Sequence, residues 1–253
     1  MEAKTTADRQ DRERAFHDEK YGHDAPPPTV KYYEAAQQCF ADYDELVRDG
    51  CAGSRVLEYG CGEGSAAYEL AARGAVVTGI DISDVAIANA RLEAERRGLD
   101  IGFEVMDAEH LTFQGRTFDL VCGSGILHHL DLDRSCREIA RVLAPGGRAV
   151  FSEPLGHNPL INTYRRLTPN LRTEDEHPLR MADLGEVAAQ EAEVDVRYYA
   201  LTSLAAVPMR SRPSFPKVLR GLERLDGAVF RALPFTRRFA WYSVLCLAQP
   251  MNA

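Results

Sequence analysis

Val56-Leu57-Glu58-Tyr59-Gly60-Cys61-Gly62-Glu63-Gly64 places apolar residues and a carboxylate ahead of three glycines at alternate positions. This pattern predicts a strand that stops abruptly and turns into a helix beginning near Ser65. Glycine permits positive φ and a close approach to backbone that any Cβ would block. The start of the following helix aims unsatisfied N–H groups at the same spot. A small ligand pressed against bare backbone is the expected use. A dinucleotide fingerprint, Gly-x-Gly-x-x-Gly, would need its third glycine at position 65. Position 65 is serine, and the third glycine falls at 64. Glu58 would repel a pyrophosphate and suits a ligand carrying positive charge.

Downstream, Val76-Val77-Thr78-Gly79-Ile80 reads as a second strand ending in Asp81. An acid about 20 residues after the glycines can accept from both hydroxyls of a ribose. A ribose and a cationic group without a pyrophosphate fit S-adenosylmethionine better than NAD. Further motifs follow in order. They are Gly79-Ile80-Asp81-Ile82-Ser83, then Met106-Asp107-Ala108-Glu109 after a third strand, then Phe118-Asp119-Leu120-Val121 with Gly125-Ile126-Leu127-His128-His129-Leu130. The last is Arg141-Val142-Leu143-Ala144-Pro145-Gly146-Gly147. On these residues the chain resembles the class I S-adenosylmethionine-dependent methyltransferases, in the small-molecule, type 11-like group, over roughly residues 54–153.

The resemblance implies an α/β fold: a Rossmann-like, doubly wound sheet of seven mostly parallel strands with one antiparallel strand. It implies that Gly60, Gly62 and Gly64 line the methionine and ribose parts of the cofactor, with Glu58, Cys61 and Ser124 beside them. Asp81 would hold the ribose hydroxyls and Ile82 would cover the adenine. Asp107 would accept from the exocyclic amine, with the Ala108 N–H nearby. Capping of the following turn is the competing role for Asp81 and Asp107. Ser83 and Asp84 are expected to cap a helix over 84–97. Cys61 suits the turn by its size and has nothing near it in sequence to make it a nucleophile.

Composition agrees with an enzyme of this kind. With 253 residues and 45% hydrophobic content the chain can bury an α/β core. A net charge of −8 argues against general nucleic-acid binding. No apolar run approaches the ~18 residues of a membrane-spanning helix. The charged stretch from Met1 to Lys20 lacks the apolar core of a secretory signal. Cysteines at 39, 51, 61, 122, 136 and 246 form no Cys-x-x-Cys pair and read as buried thiols. A cytoplasmic protein without a metal site is expected.

Periodicity and breakers divide the chain into an N-terminal lid or helical segment, 1–50, and a methyltransferase domain, 51–253. The first 28 residues are polar and end in Pro26-Pro27-Pro28. Strands are expected near 54–59, 75–80, 101–106, 118–123 and 147–153, and helices near 65–73, 84–97 and 133–143. Such alternation implies a parallel sheet with helices on both faces. A sixth and a seventh strand are read at 194–199 and 240–248. Acceptor-side insertions fall at about 154–180 and 200–239. In the latter, Val218, Leu222, Leu225, Val229 and Ala232 recur at helical spacing. From 210 to 238 there are eight basic residues against two acids, a local balance of +6. For this stretch, and 215–233 in particular, four readings stand: a helix packed on the sheet with its arginines in water, a cap over substrate, a membrane-surface contact, or a contact within a homodimer.

Methyl transfer asks mainly for alignment and exclusion of water, with a base where the acceptor loses a proton. His128 and His129 follow the fourth strand and face the cleft, with His129 read as the less exposed; support of the cofactor loop is the competing role. Glu153 and His157, nearest the fifth strand's end, are the other candidate bases. Asn158, Tyr164, Arg165, Arg166, Arg172, His177 and Arg180 could grip a carboxylate or phosphate, against an ordinary surface loop paired with Glu174, Asp175 and Glu176. Tyr21 and Tyr32, in a set with His17, Asp18, Lys31 and Tyr33, suit a lid whose rings meet a sulfonium. The expected function is S-adenosylmethionine-dependent methylation of a small or medium-sized metabolite, anionic or amphiphilic, at O, N or C. Its rivals are another reaction with the same cofactor, such as cyclisation or decarboxylation, and a non-catalytic regulatory subunit.

Overall fold

The computed structural model describes residues 6–21, 30–64, 66–168, 176–190 and 193–248. Its sheet contains β1 (Arg55–Tyr59), β2 (Val76–Asp81), β3 (Gly102–Val105), β4 (Phe118–Ser124), β5 (Leu143–Pro154), β6 (Glu193–Tyr199) and β7 (Tyr242–Ala248). The spatial order is β3-β2-β1-β4-β5-β7-β6. The first five strands pair in parallel, and β7 runs antiparallel to both β5 and β6. The order reverses between β1 and β4, so their carboxyl ends flank the switch point where open α/β sheets bind ligands.

The inner strands β1, β4, β5 and β7 are buried on both faces, whereas the edge strands β3 and β6 are partly exposed. Side chains alternate across the sheet. Val56, Val77, Cys122 and Val150 face a core built with α3 (Gln37–Arg48), α4 (Ala67–Ala72) and α5 (Asp84–Arg97). Leu57, Ile80, Val121 and Phe151 face the opposite core with α6 (Leu132–Val142). Removing a fully buried side chain such as Leu57 from such packing costs about 2–5 kcal/mol. All six cysteines are free thiols, five of them buried.

Strand β5 begins four residues before the expected 147. Leu143 pairs with Phe118, and regular pairing resumes with Arg148 opposite Leu120, so Pro145 and Gly146 sit in an irregularity within the strand. On the amino-terminal side lie α1 (Thr6–Tyr21) and α2 (Val30–Tyr33), the latter running through the turn 34–36 into α3. Pro26 to Pro28 and Ser65 lie outside the described residues. After β5 come α7 (Pro159–Leu167) and α8 (Met181–Gln190). Between β6 and β7 stand a 3-10 turn (Ser203–Met209), α9 (Phe215–Ala232) and a second 3-10 turn (Pro234–Phe239).

The buried face of α9 is rotated from the expected stripe. Phe215, Leu219, Asp226 and Phe230 are buried and Val218 and Leu222 pack half-buried against the core, whereas Leu225 is 46% exposed and Ala232 is also exposed. The rotation follows from Asp226, a carboxylate that a count of apolar residues passes over. Its oxygens accept from the N–H groups of Leu201 at 3.1 Å, Thr202 at 2.6 Å and Ser203 at 3.2 Å, and from the Thr202 hydroxyl. It thereby satisfies the start of the 203–209 turn and fixes which side of α9 meets the body.

Candidate functional site

The loop after β1 takes the predicted shape. Gly60, Gly62 and Gly64 all have positive φ, at 57°, 52° and 91°. A Cβ on Gly60 would fall 2.6 Å from the Ile126 side chain, and one on Gly64 would fall 2.6 Å from the Tyr68 ring. Gly62 donates its N–H to Asp81 Oδ2, and Ser83 N–H donates to Asp81 Oδ1, each at 2.9 Å. The Asp81 carboxylate is thus held at the end of β2 beside the loop. Ser83 also caps α5, accepting from Ala86 N–H. Asp107 accepts from the Glu109 N–H on Oδ1, while its Oδ2 lies 2.8 Å from His110 Nδ1.

One cavity opens beside this loop, lined by Gly60 but not by Gly62 or Gly64. Gly60, Asp81, Ile82, Asp107, Ala108, Ser124 and His129 line it, with Ile80, Met106, Ile126 and Leu130 as apolar wall. Helix α1 closes it with Arg9, Gln10, Glu13 and His17. Gln10 Nε2 donates to Asp107 Oδ2 at 2.7 Å, the place where a ligand amine would donate. Arg9 bonds Glu109 and also the His129 carbonyl, and Asp18 accepts from the Ser83 hydroxyl. None of these α1 residues except His17 and Asp18 stands out in the sequence.

Several expected cofactor contacts are placed elsewhere. Glu58 is buried and gives one oxygen to Ala66 N–H and the other to Ala67 N–H, each at 2.9 Å. It therefore caps α4 in place of facing a ligand's positive charge. The Cys61 side chain is buried in the core, where desolvation, then Glu58 and Asp81, push its thiol far up. Tyr32 stands 4.8 Å from the Tyr164 ring and 6.2 Å from Trp241, in an aromatic group away from the cavity. The side chain of Tyr21 lies outside the described residues, as does Arg172.

The residues expected on the acceptor side begin at the ends of β4 and β5. Glu153 is fully buried, and its Oε1 accepts from Ile126 N–H at 2.9 Å and Leu127 N–H at 2.8 Å. Its Oε2 lies 2.7 Å from His128 Nδ1. His128 Nε2 lies 4.0 Å from Glu176 Oε1, a residue the sequence offers only as a loop acid. His128 is more buried than His129, at 8% against 12% side-chain exposure, which reverses the expected order. Burial, and secondly His128, lower the pKa of His129, while its pairing with Glu13 at 3.1 Å works in the other direction.

Among the described residues, two groups bring three ligand-type atoms within 4.8 Å of one another: Glu13, His17 and His129, and His128, His129 and Glu176. In the first, the acid pairs with both histidines, and the two rings meet edge to face. In the second, the His128 nitrogen nearest a carboxylate is the one given to Glu153.

The remaining acceptor residues divide. Asn158 is an N-cap: its Oδ1 accepts from Leu160 and Ile161, and its Nδ2 donates to the Phe239 carbonyl. This accounts for its burial without a substrate. His157 Nε2 accepts from Met181 N–H at 3.4 Å, and desolvation, then Arg238 and Arg180, lower its pKa. His177 donates its N–H to the His128 carbonyl while remaining exposed. Arg166 and Arg180 are exposed and Arg165 is half-buried, and none of the three lines the cavity.

Two carboxylates at successive strand ends, apolar walls between them and a glycine turn closed to any Cβ suit a nucleoside with free hydroxyls and an amine. Comparison with known proteins agrees. A family model described as "Methyltransferase domain" matches residues 57–151. The ubiquinone biosynthesis O-methyltransferase of Coxiella burnetii is 38% identical over 101 residues, 40% of this chain and 43% of that protein. The chain thus matches less than half the length of that relative. The 27-O-demethylrifamycin SV methyltransferase of Amycolatopsis mediterranei is 32% identical over 193 residues, 72% of this chain and 66% of the relative. The magnesium protoporphyrin IX methyltransferase of Synechocystis PCC 6803, solved with bound SAH, superposes with a TM-score of 0.61 at 18% identity, covering 96% of this chain and all of the other. The chain belongs to the class I S-adenosylmethionine-dependent methyltransferases, in their small-molecule group.

Proposed function

We propose that this protein transfers the methyl group of S-adenosylmethionine to a hydroxyl oxygen of a small-molecule acceptor. The observation that carries the choice of oxygen is the buried pair of His128 and Glu153, with Nδ1 and Oε2 at 2.7 Å. A hydroxyl must lose its proton as it is methylated, and a positioned imidazole near neutral pH suits that task. Glu153 is fixed by two backbone donors, so it holds the proton of His128 on Nδ1 and leaves Nε2 as the acceptor. The names of two relatives, both O-methylating enzymes, support the same choice.

Bound S-adenosylmethionine would supply a sulfonium methyl group that is already electrophilic. The chain's own residues do the rest. Asp81 accepts from the ribose hydroxyls, and Asp107 accepts from the adenine amine once Gln10 withdraws. Ile82, Met106 and Leu130 enclose the base, and α1 keeps water from the cavity. His128 takes the acceptor proton, and Glu176 balances the imidazolium that results.

Calorimetric titration with S-adenosylmethionine and S-adenosylhomocysteine tests the cofactor, and failure to bind either would sink the proposal. Incubation with methyl-labelled donor and a hydroxylated metabolite extract tests the reaction. Label is expected in an ether product. Tight cofactor binding with no labelled product in any competent extract would favour a different reaction on the same cofactor.

A further inference from the structure

The outward face of α9 carries Lys217, Arg220, Arg224 and Arg231, all exposed. Their spacings of three, four and seven residues place them in one row, because the helix turns every 3.6 residues. The opposite face is fixed to the body by Phe215, Leu219, Asp226 and Phe230. The row spans about 21 Å at 1.5 Å per residue. Its side chains make no salt bridge among the described residues. The acids of this helix do not interrupt it: Asp226 is buried under four hydrogen bonds, and Glu223 is half-buried on the flank. Beside the row stand three exposed apolar side chains, Leu225 at 46%, Leu233 at 48% and Phe235 at 66%.

We propose that this face docks the protein on an anionic lipid bilayer, with α9 lying flat, its cations among the headgroups and Phe235 and Leu233 entering the acyl boundary. Cations and exposed apolar side chains side by side match the two layers of a membrane interface. A nucleic-acid backbone would use the cations and leave the apolar residues without a partner. The charge balance sets the orientation: residues 210–238 carry +6 in a chain of −8, so other faces are repelled. Screening confines the attraction to about 8 Å at physiological salt, so contact must be close. The surface adjoins the acceptor side, since the Phe239 carbonyl accepts from Asn158 at 2.7 Å. Docking on lipid requires neither cofactor nor turnover.

Sedimentation of the full chain with vesicles decides it. Binding is expected to equimolar phosphatidylcholine and phosphatidylglycerol, weakened by salt, and absent with phosphatidylcholine alone. The fourfold variant Lys217→Gln, Arg220→Gln, Arg224→Gln and Arg231→Gln should lose about a hundred-fold or more of the affinity. Phe235→Ser should lose several-fold. Retained binding of S-adenosylhomocysteine reports that the variants are folded. If the fourfold variant does not fold, Arg224→Gln with Arg231→Gln should still lose about ten-fold. Equal binding to both kinds of vesicle, or full binding by the substituted proteins, would overturn the proposal. So would tighter binding to an RNA oligonucleotide through the same residues.

Discussion

The cavity proposed for the nucleoside and the residues proposed for the acceptor both lie at the carboxyl ends of the strands but are held by different kinds of contact. At the nucleoside end, Asp81 is fixed by Gly62 and Ser83, which lie 19 and 2 residues away, and Asp107 by Glu109, 2 residues away. At the acceptor end, Glu153 is fixed from 26 and 27 residues away and Asn158 reaches a carbonyl 81 residues away. Tyr32 meets Tyr164 across the length of the sheet domain. The first end is a set of local turns over which α1 closes, Gln10 reaching Asp107 from 97 residues away. The second exists only when β5, α7 and the segment before β7 have come together. Substitutions should therefore separate the two ends.

The largest effect is expected at the acceptor end. His128→Ala should slow methyl transfer by about 10²–10⁴ while leaving affinity for S-adenosylhomocysteine within about two-fold, read by single-turnover kinetics and calorimetry. Glu153→Gln should follow in the same direction. A matching loss of cofactor affinity would erase the division. Next, Asp81→Ala should weaken S-adenosylhomocysteine about a hundred-fold, as loss of hydrogen bonds to a charged group does. Unchanged affinity would refute its ribose role. Gln10→Ala has the opposite sign: leaving Asp107 Oδ2 with His110 as its one side-chain partner among the described residues should tighten S-adenosylhomocysteine about three-fold. A weaker complex would make Gln10 part of the site.

The smallest effect concerns His129, which lies between the ends. Its pKa is lowered in the folded protein, first by burial, from an ordinary value of 6.5. Below 6.5 the unfolded chain takes up the proton before the folded one does. Stability should therefore fall as pH drops from 6.5 through the lowered value, by at most about 1.4 kcal/mol per pH unit. Above 6.5 this contribution is fully present. Urea unfolding of the wild type and of His129→Gln should show the shallower acid slope in the variant, and equal slopes would remove His129 as the cause.

Much of the nucleoside end was legible. Positive φ at Gly60, the acid at the end of β2 and the cap at Ser83 are each written within a few residues. Glu58 was misread because its charge is visible in sequence while its partners, Ala66 and Ala67, are ordinary backbone. Asn158 had a signal: a capping residue followed by Pro159 marks a helix start. Gln10 and Glu13 had none, since α1 is mostly polar, with Phe16 and Tyr21 its large apolar residues, and shows no apolar face to read. Glu176 gains its place only because its segment returns beside His128.

By itself the sequence determined the order of strands and helices, the glycine turn and the two carboxylates of the nucleoside end, because these rest on backbone conformation and on the alternation of buried side chains. Tertiary structure alone decided that Glu58 caps a helix, that His128 is the histidine joined to Glu153, and which side of α9 faces water. Each of those depends on a partner distant along the chain or anonymous in type, and the energy of burying a charge is settled only by what surrounds it.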